Sequence, residues 1–128
     1  MAGFKSTWRK GFHMSFENGL TVSVQFGAGN YCDNHFDMDF MSQKDAQSSD
    51  AEVAIWHKDH IKPRDWISVN YFLSDAYGEG HGGVCGYLSP EQVAELLYKA
   101  SMEDEETFWQ RYGKYYQNEY GEELVFHD

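Results

Sequence analysis

No apolar run in this sequence approaches the roughly 20 residues that a helix needs to cross a bilayer, which excludes a membrane-spanning helical bundle. The opening stretch from Met1 to Lys10 also lacks the apolar centre of a secretory leader, so a soluble, cytosolic protein is predicted. Cysteine is scarce. Cys32 and Cys85 alone cannot build a disulfide framework and fit free thiols in a reducing compartment. Positive charge is scarce as well: ten Lys and Arg face 21 Asp and Glu, a net charge of −11. The deficit is uneven, with seven basic and eight acidic side chains in residues 1–64 but three and thirteen in residues 65–128. A basic groove that tracks a nucleic-acid backbone does not fit this distribution, and direct nucleic-acid binding is not expected. An acidic half suits either solubility or a basic surface on a partner, including one that normally holds nucleic acid.

What is present is aromatic. Four Trp, nine Tyr and nine Phe among 128 residues exceed what a core of this size buries, so some are expected at an interface, a homodimer being the simplest arrangement. The length suits a single domain. Residues 1–100 read as its core and residues 101–128 as an acidic, aromatic helix and tail.

The alternation of Leu20, Val22, Val24 and Phe26 with Thr21, Ser23 and Gln25 predicts a half-buried strand. Asn18 and Gly19 tolerate the turn that pairs it with Phe12 to Phe16. Phe36, Met38 and Phe40 alternate with His35, Asp37 and Asp39, as in a short edge strand or an extended loop, and residues 42–50 read as an exposed connection of high mobility. Ala51 to His57 and Trp66 to Leu73 predict a second hairpin around Pro63, with Val53 and Ile55 facing inward. The glycine-rich stretch from Tyr77 to Gly83 is a loop, and Val84 to Leu88 is a strand. Ser89, Pro90 and Gln92 then form a helix start with a capping box, and Val93, Leu96, Leu97 and Ala100 make one apolar stripe. A second helix is predicted from Glu103 to Asn118, and Leu124 to Phe126 suit an edge strand or a contact with another subunit. The expected fold is α+β: a mostly antiparallel sheet of about five strands packed against two C-terminal helices.

Catalytic signatures are absent. The sequence contains no H-E-x-x-H, paired-cysteine or EF-hand motif, no G-x-S-x-G elbow and no complete phosphate-binding fingerprint, since Cys32 stands where Gly27-x-Gly29 would need a third glycine. No cofactor or metal is expected. An enzyme reading rests on His35, Asp37, His57 and His60 as ligands in a metal-assisted hydrolase, or on a thiol of Cys32 or Cys85 beside His35 or His81. Solvated surface and buried, inert thiols account for the same residues.

The run from Gly11 to Cys32, with Asn18-Gly19 and Gly27-Ala28-Gly29-Asn30-Tyr31-Cys32 as its most specific part, resembles a group of small proteins encoded by bacterial viruses and prophages. Ala51 to Trp56 and Val84 to Val93 share in the likeness, which spans roughly residues 11–100. The resemblance implies a non-structural accessory protein acting in the bacterial cytoplasm, and the lack of a catalytic motif makes a non-enzymatic role the expectation. Two targets fit the residues. In the first, Glu103, Asp104, Glu105, Glu106, Phe108, Trp109, Tyr112, Tyr115 and Tyr116 dock on a basic surface of a host or defence protein and block it. In the second, Asn30, Tyr31, Trp56 and Tyr87 hold a small nucleotide-like signal, although only Arg9, Arg64 and Arg111 offer guanidinium clamps.

Overall fold

In the computed structural model, which describes residues 2–8, 10–37, 47–76 and 83–127, five strands form one antiparallel sheet in chain order. They are β1 (Gly3–Ser6), β2 (Gly11–Ser15), β3 (Leu20–Gln25), β4 (Ala51–His57) and β5 (Cys85–Leu88), followed by helices α1 (Pro90–Ser101) and α2 (Glu105–Tyr120). The α+β architecture expected from the sequence is observed. Among the described residues no helix is long and apolar enough to cross a membrane.

Register explains the core. Val22 pairs with Ile55 and Val24 with Val53, and these side chains are buried beneath α1, where Leu96 and Ala100 point at the sheet. Val93 and Leu97 flank them, partly buried. Ser89 caps α1 as its sequence predicts: its hydroxyl accepts from the Gln92 amide at 3.2 Å, and its own amide donates to Gln92 Oε1 at 2.9 Å. The β2–β3 turn has a long-range role that a local hairpin does not require. Asn18 Nδ2 donates to the Ala100 and Glu103 carbonyls at 2.8 and 3.0 Å, bonding acceptors at the junction between α1 and α2. The turn therefore fixes where α1 stops and α2 begins.

Four expectations change or narrow. First, Trp66 to Leu73 is not a strand. Ile67 bridges Ile55 once, between tight helical turns over Pro63–Asp65 and Val69–Tyr71. The physical reason lies on α2: the Ser68 amide, which a sheet ladder would use, donates instead to the Tyr112 hydroxyl at 2.8 Å, and the Ser68 and Tyr120 hydroxyls bond at 2.9 Å. Second, Leu124 to Phe126 form no strand but fold back on the same chain. Phe126 stacks on His60 at 3.7 Å and meets Trp109 edge-on at 4.8 Å. Third, β1 has no alternating sequence pattern, yet Phe4 pairs with Met14. All its residues are exposed, Phe4 and the following Trp8 each to 78%. Fourth, of the strand and loop left open for the segment from His35, the described residues take the loop: His35 and Phe36 lie in a turn with Phe36 exposed. Met38, Asp39, Phe40, most of the 42–50 connection and most of the glycine-rich loop lie outside the described residues.

Candidate functional site

The residues expected to form an acidic, aromatic docking surface divide into two groups. Phe108 and Tyr112 are only 2% and 1% exposed. Helical spacing turns both inward, where their rings stack at 5.6 Å and both meet Tyr71 edge-on. Burial pushes the Tyr112 phenol well above its ordinary range, against the Ser68 hydrogen bond. They are core, and the expectation that they contact a partner is corrected. Trp109, Tyr115 and Tyr116 are partly buried against that core. Burial also raises the Tyr115 phenol, to about 12.

The carboxylates divide likewise. Glu103 lies against Arg111, Oε2 to Nη1 at 2.6 Å, with only 13% of its side chain exposed, so it is withdrawn from a docking role. The same guanidinium donates to the Tyr71 hydroxyl at 3.2 Å, tying the start of α2 to the core. Glu105 is engaged at 3.2 Å by His57 Nε2 and at 3.4 Å by Lys58 Nζ. These contacts, the His57 hydrogen bond foremost, hold its carboxyl below the usual range. His57 is buried, and its Nδ1 accepts from the Asp59 amide at 3.2 Å, which assigns the proton to Nε2. Asp104 and Glu106 remain exposed. Glu91, Glu119, Glu122 and Glu123 join them on the two helices and the tail, none singled out by the sequence reading of residues 103–116.

The residues expected around a nucleotide do not share one pocket. Tyr31 and Tyr87 line a common cleft at the β5 edge of the sheet. Asn30 holds its own loop together, its Oδ1 accepting from the Gly27 amide at 2.9 Å and its carbonyl meeting His35 Nδ1 at 2.7 Å. Trp56 lies in a separate groove on the sheet face away from the helices, stacked on Trp66 at 5.5 Å with His13 edge-on at 5.0 Å. Burial, with the charge of Lys5, lowers the His13 imidazole below its ordinary value. Neither the cleft nor the groove is lined by Lys or Arg among the described residues.

The proposed metal ligands are not assembled either. His57 and His60 are neighbours at 6.3 Å between ring centres, whereas His35 stacks on Tyr31. Among the described residues no group of three or more His, Cys, Asp or Glu side chains is arranged to hold a metal ion. Cys32 and Cys85 are buried and not joined in a disulfide, and burial raises the Cys32 thiol, which disfavours a nucleophilic thiolate.

One buried carboxylate escaped the sequence reading. Asp65 accepts from both the backbone amide of His127 at 3.0 Å and His127 Nδ1 at 2.8 Å, latching the tail across the Pro63–Asp65 turn. Its only local signal is an Asp beside Trp66, which says nothing of a partner 62 residues on. Burial pushes the Asp65 carboxyl up, but the His127 hydrogen bonds outweigh it and hold the group below its ordinary value of 3.8. Because the folded-state pKa is depressed, the stabilisation is complete above the unfolded value and fades as pH falls through the folded one. Asp65→Asn should therefore lose about 1–2 kcal/mol at pH 7, where a charge-assisted bond becomes a neutral one. The wild type and the variant should converge in strong acid, once pH has fallen through the depressed folded-state value and the carboxyl is protonated. Urea unfolding at pH 7 and in strong acid checks this, and an equal difference at both would contradict it.

Comparison with protein-family models, curated proteins and solved structures finds no match for this chain.

Proposed function

We propose that this protein is a non-enzymatic accessory protein encoded by a bacterial virus, which binds and blocks a basic surface on a host or defence protein in the bacterial cytoplasm. The observation that carries the reading is the segregation of charge. Residues 1–16 hold three basic side chains and no acidic one, whereas residues 89–128 hold ten acidic and three basic ones. Lys99 and Arg111 are paired with Glu95 and Glu103, while Glu91, Asp104, Glu106, Glu119 and Glu123 are exposed on the helices and tail. Such a surface raises association rates with a basic partner and rejects acidic ones. Tyr98 and Met102, each 66% exposed on or next to α1, supply the apolar contact that Phe108 and Tyr112 do not.

The resemblance of residues 11–100 to phage and prophage proteins supports the viral setting. The nucleotide reading loses ground because Trp56 lies in a different groove from Tyr31 and Tyr87, Asn30 is engaged within its own loop, and among the described residues no guanidinium lines either hollow.

The test is capture from bacterial lysate at low salt, comparing the tagged wild type with a variant carrying Glu91→Gln, Glu106→Gln, Glu119→Gln and Glu123→Gln. These side chains are exposed, so the variant should fold normally. The expected result is a basic protein retained by the wild type, released between about 50 and 300 mM salt as screening shortens the reach of the charges, and lost from the variant. Equal capture by both would overturn the reading.

A further inference from the structure

The cleft shared by Tyr31 and Tyr87 has a volume of about 540 Å³, and Asp75, Gly86 and Gln92 complete its walls. Both rings are held in place by backbone constraints. Tyr87 has φ 59°, in the left-handed region that bulky residues avoid, and the residue is 57% exposed. No burial in the core accounts for that conformation. The register shift between the Ala51 and Val53 pairs of β4 and β5 accompanies it, and the Tyr87 amide donates to the Tyr31 carbonyl at 2.9 Å. Gly86 permits the approach of the other wall, since a Cβ there would lie 2.6 Å from Tyr31 Cβ. Tyr31 is steadied further by its amide, which donates to Glu52 Oε2 at 2.8 Å, and by stacking on His35 at 5.5 Å with the planes 15° apart.

The chemistry of the cleft is selective. Among the described residues Asp75 is the one carboxylate that lines it, and no Lys or Arg does. A phosphate would meet no counter-charge. Two aromatic faces with one carboxylate suit a cation, and a planar one best, because a guanidinium stacks on a ring while its edge bonds the carboxylate. We propose that this cleft is a receptor for a guanidinium group: an arginine side chain of the partner protein, stacked on Tyr31 and Tyr87 and paired with Asp75. The assignment rests on the proposed reading that the partner is basic and names the group that anchors it. Gln92 and Glu91, in the first turn of α1, join the cleft to the acidic helices.

The test is an NMR titration of the full chain with acetyl-arginine methylamide, with the neutral isostere acetyl-citrulline methylamide as control. Saturable shifts of the Tyr31 and Tyr87 ring signals are expected with the arginine compound. The Tyr31 shifts should weaken about fivefold or more in Asp75→Asn and be lost in Tyr87→Asn, whose new side chain tolerates a positive φ. Tyr87→Asn should keep or raise the melting temperature, because it relieves the backbone while removing little buried surface. No saturable shift in the wild type, or an equal response to the citrulline compound, would overturn the proposal. Lysate capture separates the two claims. Capture that survives Tyr87→Asn but fails with the four-glutamine variant leaves the acidic helices as the docking surface and refutes the cleft; capture reduced about tenfold by Tyr87→Asn supports it.

Discussion

Replacing Phe108 with alanine should lower the unfolding free energy by about 3–5 kcal/mol, the usual cost of emptying a buried phenylalanine site. The side chain is 2% exposed and sits among Tyr71, Trp109 and Tyr112, whose rings lie at 5.8, 4.9 and 5.6 Å. These neighbours are anchored elsewhere. Tyr71 is bonded by Arg111 and Tyr112 by the Ser68 amide, so collapse into the vacated space is restricted and much of the cavity should persist. For a domain stable by roughly 5–15 kcal/mol the loss is large, and melting should fall by about 10–20 °C. Thermal unfolding followed by circular dichroism checks it. An unchanged melting temperature accompanied by lost partner capture would show that Phe108 faces the partner after all.

The second large effect is expected at Gly19, in the turn between β2 and β3. Its φ of +91° disfavours any side chain, and an added Cβ would lie 2.6 Å from His57 Nε2 and 2.9 Å from Glu105 Oε2. Gly19→Ala must therefore both strain the turn and push apart the pair that holds the start of α2 against β4. Positive-φ strain costs about 1–3 kcal/mol, and leaving the buried His57 N–H without its acceptor adds about 1–3 more. A total of about 2–6 kcal/mol is expected, measured by urea unfolding, with amide exchange of α2 accelerated more than that of β3. The double variant Gly19→Ala with His57→Ala should lose less than the sum of the single losses, because the clash partner is gone. Strict additivity would contradict this account of the turn.

The fold was most legible where its determinants are local. The β2–β3 hairpin follows from alternation and an Asn-Gly turn, and α1 from a cap whose donor and acceptor lie three residues apart. The apolar stripe from Val93 to Ala100 indicates which face meets the sheet, and the structure places it there. Legibility failed where a distant group took over a local preference. Trp66 to Leu73 has the composition of a strand, but the Tyr112 hydroxyl, 44 residues away, takes the Ser68 amide and the ladder ends after one bridge. The tail reads as an edge strand or a contact with another subunit, whereas in the fold buried Asp65 holds it by His127.

The candidate site was legible only in part for a related reason. Helical periodicity shows that Phe108 and Tyr112 share a face but not whether that face is covered; the Val69–Tyr71 turn supplies the cover through Tyr71. A run of four acidic residues, Glu103 to Glu106, likewise reads as one charged patch. Its members separate once Arg111 takes Glu103 and His57 with Lys58 takes Glu105. Of the four residues proposed around a ligand, Tyr31 and Tyr87 meet because their backbones pair, an outcome decided by a register shift and a close glycine approach.

The most direct test of the central claim is zero-length cross-linking of the tagged protein in bacterial lysate, using a carbodiimide that joins a carboxylate to an amine only when the two are in contact. The account predicts cross-linked peptides joining Glu91, Glu106, Glu119 or Glu123 to lysines of one host protein, suppressed as salt is raised. Cross-links to the host formed instead through Lys5 or Lys10 of the β1–β2 hairpin, with the helical carboxylates unmodified, would contradict it.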